Sequence, residues 1–116
     1  MARRGNGMEA SWVKARKWFK LAADQGLALA QLNLGYVHQN GLGGKKDLGK
    51  AATLYWKAAM QNNPYGQVAL GRMYFAGEGV SQDYVKATRL FKDAAEQGFA
   101  RGQYWVGVQY EMGKGV

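Results

Sequence analysis

Apolar residues along this chain fall at i, i+3, i+4 and i+7 within successive blocks, the stripe that an amphipathic α-helix needs. Polar residues and glycines break the blocks apart. Gly-x-Gly stands at Gly5–Gly7, Gly41–Gly43, Gly77–Gly79 and Gly113–Gly115. Six helices are predicted, roughly 10–25, 28–40, 47–62, 64–76, 83–97 and 100–112. Pro64 suits a first-turn position, where its missing N–H costs nothing. Gly77 and Gly79 end one helix and turn the chain. Asp83 is placed to cap the next, and Gly98 to stop it. Asp47 is the matching cap one block earlier, and Ser11 takes that place in the first block.

The blocks are copies of one another. Residues 28–63 and 64–99 share 12 identical residues in 36 aligned positions, among them Leu34, Gly35, Asp47, Lys50, Ala51, Ala58 and Ala59 with their partners. A period of this size marks a stacked array rather than a single globular core. Gly35, Gly71 and Gly107 fall inside predicted helices, where glycine costs up to about 1 kcal/mol relative to alanine. The expected gain is close approach of the paired helix at its small residues, Ala51, Ala58, Ala87 and Ala94. Leu34, Leu70, Leu54, Tyr55, Leu90 and Phe91 fill the expected core.

These residues resemble the Sel-1-like repeat, a relative of the tetratricopeptide repeat with a longer loop between its helices. The unit nearest the pattern is Leu70-Gly71, Tyr74, Gly77-Glu78-Gly79-Val80, Asp83, Lys86-Ala87, Ala94-Ala95 and Gly98. Three substitutions depart from it: His38 for the tyrosine, Gly44 for the loop valine, Asn62 for the last glycine. The resemblance implies an all-α fold, a right-handed α–α superhelix of about three such helix pairs. It implies one repeat domain over 1–116, with a partial unit at 5–27, repeats at 28–63 and 64–99, and a partial repeat at 100–116. It further implies an adaptor of bacterial or eukaryotic complexes, with no shared catalytic residue. The first helix of each unit should then line the concave surface and the second the convex one.

On a helical wheel the first helices carry a second apolar face, where an ordinary surface helix needs one. It comprises Leu29, Leu32 and Tyr36 in one unit and Tyr65, Val68, Arg72 and Phe75 in the next. Arg101, Tyr104, Val108 and Met112 follow in the last. Such a face either packs between units or forms a groove for a protein or peptide partner. Aromatic and arginine side chains are the ones that dominate interface energetics.

The formal net charge is +8. Most basic residues, Lys14, Arg16, Lys17, Lys20, Lys45, Lys46, Lys50, Lys57, Lys86, Arg89 and Lys92, lie on or just before second helices. A solvated outer face explains this. The alternatives are an anionic surface, nucleic acid or membrane, bound on the convex side and weakened by salt, or a structural spacer in a larger protein. Nucleic-acid motifs are missing, and the charge is spread over a ridge.

Reactive chemistry is sparse. With one histidine, no cysteine and eight scattered carboxylates, no catalytic triad, metal cluster or cofactor site can be assembled, and an enzyme is not expected. His38 stands at a core tyrosine position and reads as structural. Gly5-x-Gly7-x-x-Ala10 matches a dinucleotide fingerprint only on paper, since no strand precedes it. No apolar run reaches the length of a membrane span, and the basic start leads into no signal-peptide core. A soluble chain of undetermined compartment is expected. The terminal helices, 10–25 and 100–112, should lack partners, so Trp105, Val106 and Tyr110 should expose an apolar edge. The expectation is a fragment of a longer repeat protein, or self-association through these uncapped helices.

Overall fold

The computed structural model describes residues 2–116 as six α-helices without strands. They are α1 (Ala2–Asp24), α2 (Ala28–Asn40), α3 (Leu48–Ala59), α4 (Pro64–Ala76), α5 (Tyr84–Glu96) and α6 (Ala100–Met112). Each packs chiefly on the helices before and after it in sequence, and α4 also meets α6. The result is an elongated ribbon of 47 × 31 × 24 Å. We call α2, α4 and α6 first helices and α1, α3 and α5 second helices.

The caps fall where the sequence puts them, with one exception. Asp47 accepts from Lys50 N and Asp83 from Lys86 N, each at 3.0 Å. Pro64 opens α4 behind Asn63, whose side chain accepts from Gly66 N. Asn62, at the place of a terminal glycine, has φ +61°, a left-handed conformation that asparagine tolerates. The exception is the first Gly-x-Gly. Gly5 and Gly7 lie inside α1, and Ser11 is mid-helix rather than a cap. The later turns are held by docking on an earlier second helix: Gly43 against Trp12, Gly79 against Leu48, Gly115 against Tyr84.

The core is a row of small clusters, one per junction. Ala23, Ala30 and Leu34 form one; Ala51, Tyr55, Leu70 and Met73 another; Val68, Ala87, Phe91 and Ala94 a third. The helical glycines serve it differently from the sequence expectation. Gly35 and Gly71 do not face alanines. A Cβ there would lie 2.7 Å from the Tyr55 ring and 2.6 Å from the Phe91 ring. The small-on-small contacts are instead Gly66 on Ala58–Ala59 and Gly102 on Ala94–Ala95. Glycine thus admits an aromatic ring within each pair and close backbones between pairs.

Two glutamine pairs tie together the two helices of a unit. Gln61 Nε2 donates to Gln31 Oε1 at 2.8 Å, and Gln97 Nε2 to Gln67 Oε1 at 2.9 Å. Gln31 and Gln67 are buried, so these bonds offset a desolvation cost of about 1–3 kcal/mol per unpaired group.

The departures of the first loop are one compensated change. Arg16 stands where later second helices have Ala52 and Thr88, and its guanidinium fills the space beside Gly44. It donates to Leu42 O at 2.9 Å and to Lys45 O at 3.2 Å. Its Nη1 lies 3.2 Å from His38 Nδ1. Guanidinium only donates, so this nitrogen of His38 accepts and is unprotonated. Burial first, then Arg16 and Lys50, hold the His38 pKa below its usual 6.5, against the pull of Asp47. The folded state therefore binds the proton less readily than the unfolded one. Stability is full above about pH 6.5 and falls as pH drops toward the depressed folded value. His38→Gln keeps an acceptor and removes the titration. Thermal melts between about pH 7 and pH 5 should show an acid loss in the wild type that is reduced in this variant.

Candidate functional site: a groove along the first helices

A groove of about 920 Å³ runs along α2 and α4 toward α6. Its walls include Leu29, Leu32 and Tyr36 from α2, Tyr65, Arg72 and Phe75 from α4, and Arg101 and Trp105 from α6. Tyr55 and Met73, nearly inaccessible, form part of its floor. Tyr36, Tyr65 and Leu29 remain more than half exposed despite being large and apolar. The positions that recur follow one helical stripe, i, i+4, i+7 and i+11: 29, 33, 36, 40 and then 65, 69, 72, 76.

The aromatic side chains hold one another in place. Trp105 stacks on Phe91 with centroids 5.4 Å apart and meets Phe75 at 5.5 Å. Tyr65 meets the edge of Phe99 at 4.7 Å. Arg72 lies over the Trp105 ring at 5.5 Å, a cation–π contact that keeps the guanidinium over the groove. The ion pair among the described residues is Lys20–Asp24, far from it in the sequence. Neither Arg72 nor Arg101 has a carboxylate partner there, although Glu78 also lines the groove. Tyr55 Oη donates to Gln39 Oε1 at 2.7 Å. Burial, then Tyr36, push its pKa up to about 12 against the opposing Arg72, so it stays a neutral donor.

The eleven residues of the second apolar face do not all share this place. Leu29, Leu32, Tyr36, Tyr65, Arg72, Phe75 and Arg101 border the groove. Val68 does not: it is 6% exposed and packs with Ala87 and Phe91 in the core. Tyr104, Val108 and Met112 lie on α6 outside the lining. Tyr104 turns its edge to Trp105 at 5.7 Å and is otherwise exposed. Trp105 was expected on the bare apolar edge, yet it is half-buried and walls the groove. Its counterparts Asn33 and Ala69 also border the groove, and their unlike chemistry hides the shared position. Tyr110 is exposed, as the apolar edge requires, and Val106 is half-buried.

Among the described residues no cluster of His, Asp and Glu could hold a metal ion. No described helix is long and apolar enough to cross a membrane.

The Sel1 repeat family model matches residues 1–27, 28–63, 64–99 and 100–116. The chain belongs to the Sel1 repeat family. Solved Sel1 structures are close in shape. A protective antigen of uropathogenic Escherichia coli strains, displaying an SLR fold, superposes with a TM-score of 0.87 at 39% identity. That match covers 90% of this chain and 22% of the antigen. A Sel1 repeat protein from Oxalobacter formigenes gives 0.83 at 38% identity, over 90% of this chain and 42% of its own. Cysteine rich protein B of Helicobacter pylori gives 0.68 at 32% identity, over 72% of this chain and 62% of its own. A chitin synthase regulator SKT5 from Malassezia restricta is 47% identical over 46 residues, 40% of this chain and 3% of that protein. The chain thus spans less than two thirds of the length of each of these relatives. Sel1 repeat proteins are generally protein-interaction scaffolds of helical-solenoid shape.

Proposed function

We propose that this Sel1 repeat chain binds a protein or peptide segment along the concave surface made by α2, α4 and α6. One observation carries the reading: exposed Tyr36 and Tyr65 share a groove with Arg72 and Arg101, two cations without a carboxylate partner among the described residues. Large rigid rings give contact area at low entropic cost, and arginine offers directed donors. The rings buttress each other, so little ordering is left for binding to impose.

A peptide selected from a displayed random library supplies the probe. Tyr65→Ala should weaken that peptide by about 1–2 kcal/mol or more in calorimetric titration. Helix content by circular dichroism should stay unchanged, because Tyr65 is 55% exposed. Loss of the fold would instead assign Tyr65 to the core.

The basic second helices suggest a different partner, an anionic surface. A salt titration against DNA or acidic vesicles separates the readings. Convex binding weakens steeply with salt, and a flat response removes it.

A further inference from the structure

The groove changes character along its length. At equal places on successive first helices stand Leu29, Tyr65 and Arg101, and two turns further on Tyr36 and Arg72. The side chains that α2 contributes are apolar, aromatic or amide, and the two cations enter with α4 and α6. Both flank one indole. Arg72 lies over the Trp105 ring, and Arg101 stands one turn before Trp105 on the same helix. Arg72 is on the middle first helix, with α2 before it and α6 after it, so its surroundings are described on both sides.

The carboxylate that also lines the groove lies at its other edge. Glu78 follows the C-terminal end of α4, whereas Arg101 is in the first turn of α6. Arg72 sets its guanidinium against an indole and not against Glu78. A guanidinium held over a ring face keeps the N–H donors of its own plane ready for a planar acceptor, and a carboxylate fits that fork with two bonds. On the α2 wall, the Asn33 amide can pair with an N–H and a C=O of a main chain laid beside it.

We propose that the groove takes an extended acidic segment of a protein partner. A large apolar side chain of that segment rests against Leu29, Tyr36 and Tyr65, and its aspartate or glutamate is held by Arg72 and Arg101 beside Trp105. This rests on the groove reading above and adds the chemistry of the ligand. The step from one first helix to the next is about 10 Å, the usual spacing of packed helices, and an extended chain covers it in about three residues. The apolar and acidic residues are therefore about three positions apart. A nucleic-acid strand fits less well. It carries a phosphate at every step, and the α2 half of the groove offers no cation to meet it.

Peptides selected on the full 116-residue chain from a displayed random library, then synthesised, test this by calorimetric titration. They should share an aspartate or glutamate about three positions from a large apolar residue. Arg72→Glu should weaken them by about tenfold or more. Exchanging the peptide's acid for lysine should restore binding to that variant and weaken binding to the wild type. Arg72 is exposed, so helix content should hold. Should it fall, Arg101→Glu takes its place, since it reverses another exposed charge at the same indole. Peptides that Tyr65→Ala weakens but that lack an acid, or that ignore both charge reversals, leave the groove reading standing and overturn this one. Peptides indifferent to Tyr65→Ala as well bind elsewhere and overturn both. A single-stranded DNA oligomer that displaces the peptide, and itself loses affinity for Arg72→Glu, assigns the arginines to phosphate and overturns the acidic segment.

Discussion

Phe91→Ala should destabilise the chain by about 3–5 kcal/mol, read by urea denaturation followed by circular dichroism. Phe91 is fully buried, stacks on Trp105 and lies over Gly71. It therefore touches its own pair partner and the following helix at once. A loss of that size is comparable with the whole stability of many small domains, so Phe91→Leu serves as the milder companion and should cost less. The neighbouring glycine supplies an internal check. Gly71→Ala alone places a methyl against the ring and should cost about 1–3 kcal/mol as an overpacked site. In the Phe91→Ala background the ring is gone. The same substitution should then become favourable by up to about 1 kcal/mol, the ordinary helix preference of alanine over glycine. Such a reversal of sign shows that glycine is kept at 71 for the ring and not for the backbone. Equal costs in both backgrounds would refute that account.

The relation between Gly71 and Phe91 also shows how far the sequence could be read. The 36-residue step, the caps Asp47 and Asp83, and the buried Leu34, Leu70, Tyr55 and Phe91 were all legible, because each depends on local pattern repeated in register. Which residue sits over which glycine was not, since it depends on the relative rotation of paired helices. The groove was half legible for a related reason. A first helix packs on a partner within its unit and on the units beside it, so it carries apolar residues nearly all round. Periodicity then finds two faces without saying which part stays open. Val68 and Trp105 exchanged places on that account: the valine is core and the tryptophan borders the groove. Comparing positions 33, 69 and 105 by register would have flagged the stripe, although asparagine, alanine and tryptophan share no chemistry. Of the triple change, His38 and Gly44 were visible only as separate departures, and Arg16 only as one basic residue among many. Their compensation is three-dimensional: one guanidinium fills what a smaller histidine and a missing valine side chain leave open.

The turn glycines give the second large effect. Gly77→Ala and Gly79→Ala both put a side chain on a left-handed backbone, at φ +72° and +74°. That conformation costs roughly 1–2 kcal/mol for an ordinary residue. The two sites differ in what the new methyl meets. At Gly77 it would lie 3.1 Å from Gln82 Cβ, a contact relieved by a shift of a few tenths of an ångström in an exposed loop. At Gly79 it would run into the Leu48 carbonyl group, with the carbonyl carbon at 2.8 Å. That group belongs to the first turn of α3 and cannot yield without moving the helix. An overpacking cost of about 1–3 kcal/mol is therefore added, and Gly79→Ala should lose about 3 kcal/mol in total. Because the backbone strain is common to both variants, the difference between their urea midpoints isolates the docking of this loop on the preceding unit. A clear excess for Gly79→Ala means that the turn is a clamp between repeats as well as a connection within one. Indistinguishable midpoints would mean that the turn swings free, and the junction would then rest on the helix contacts and on the hydrogen bonds that Gln67 and Gln97 donate to Asn62.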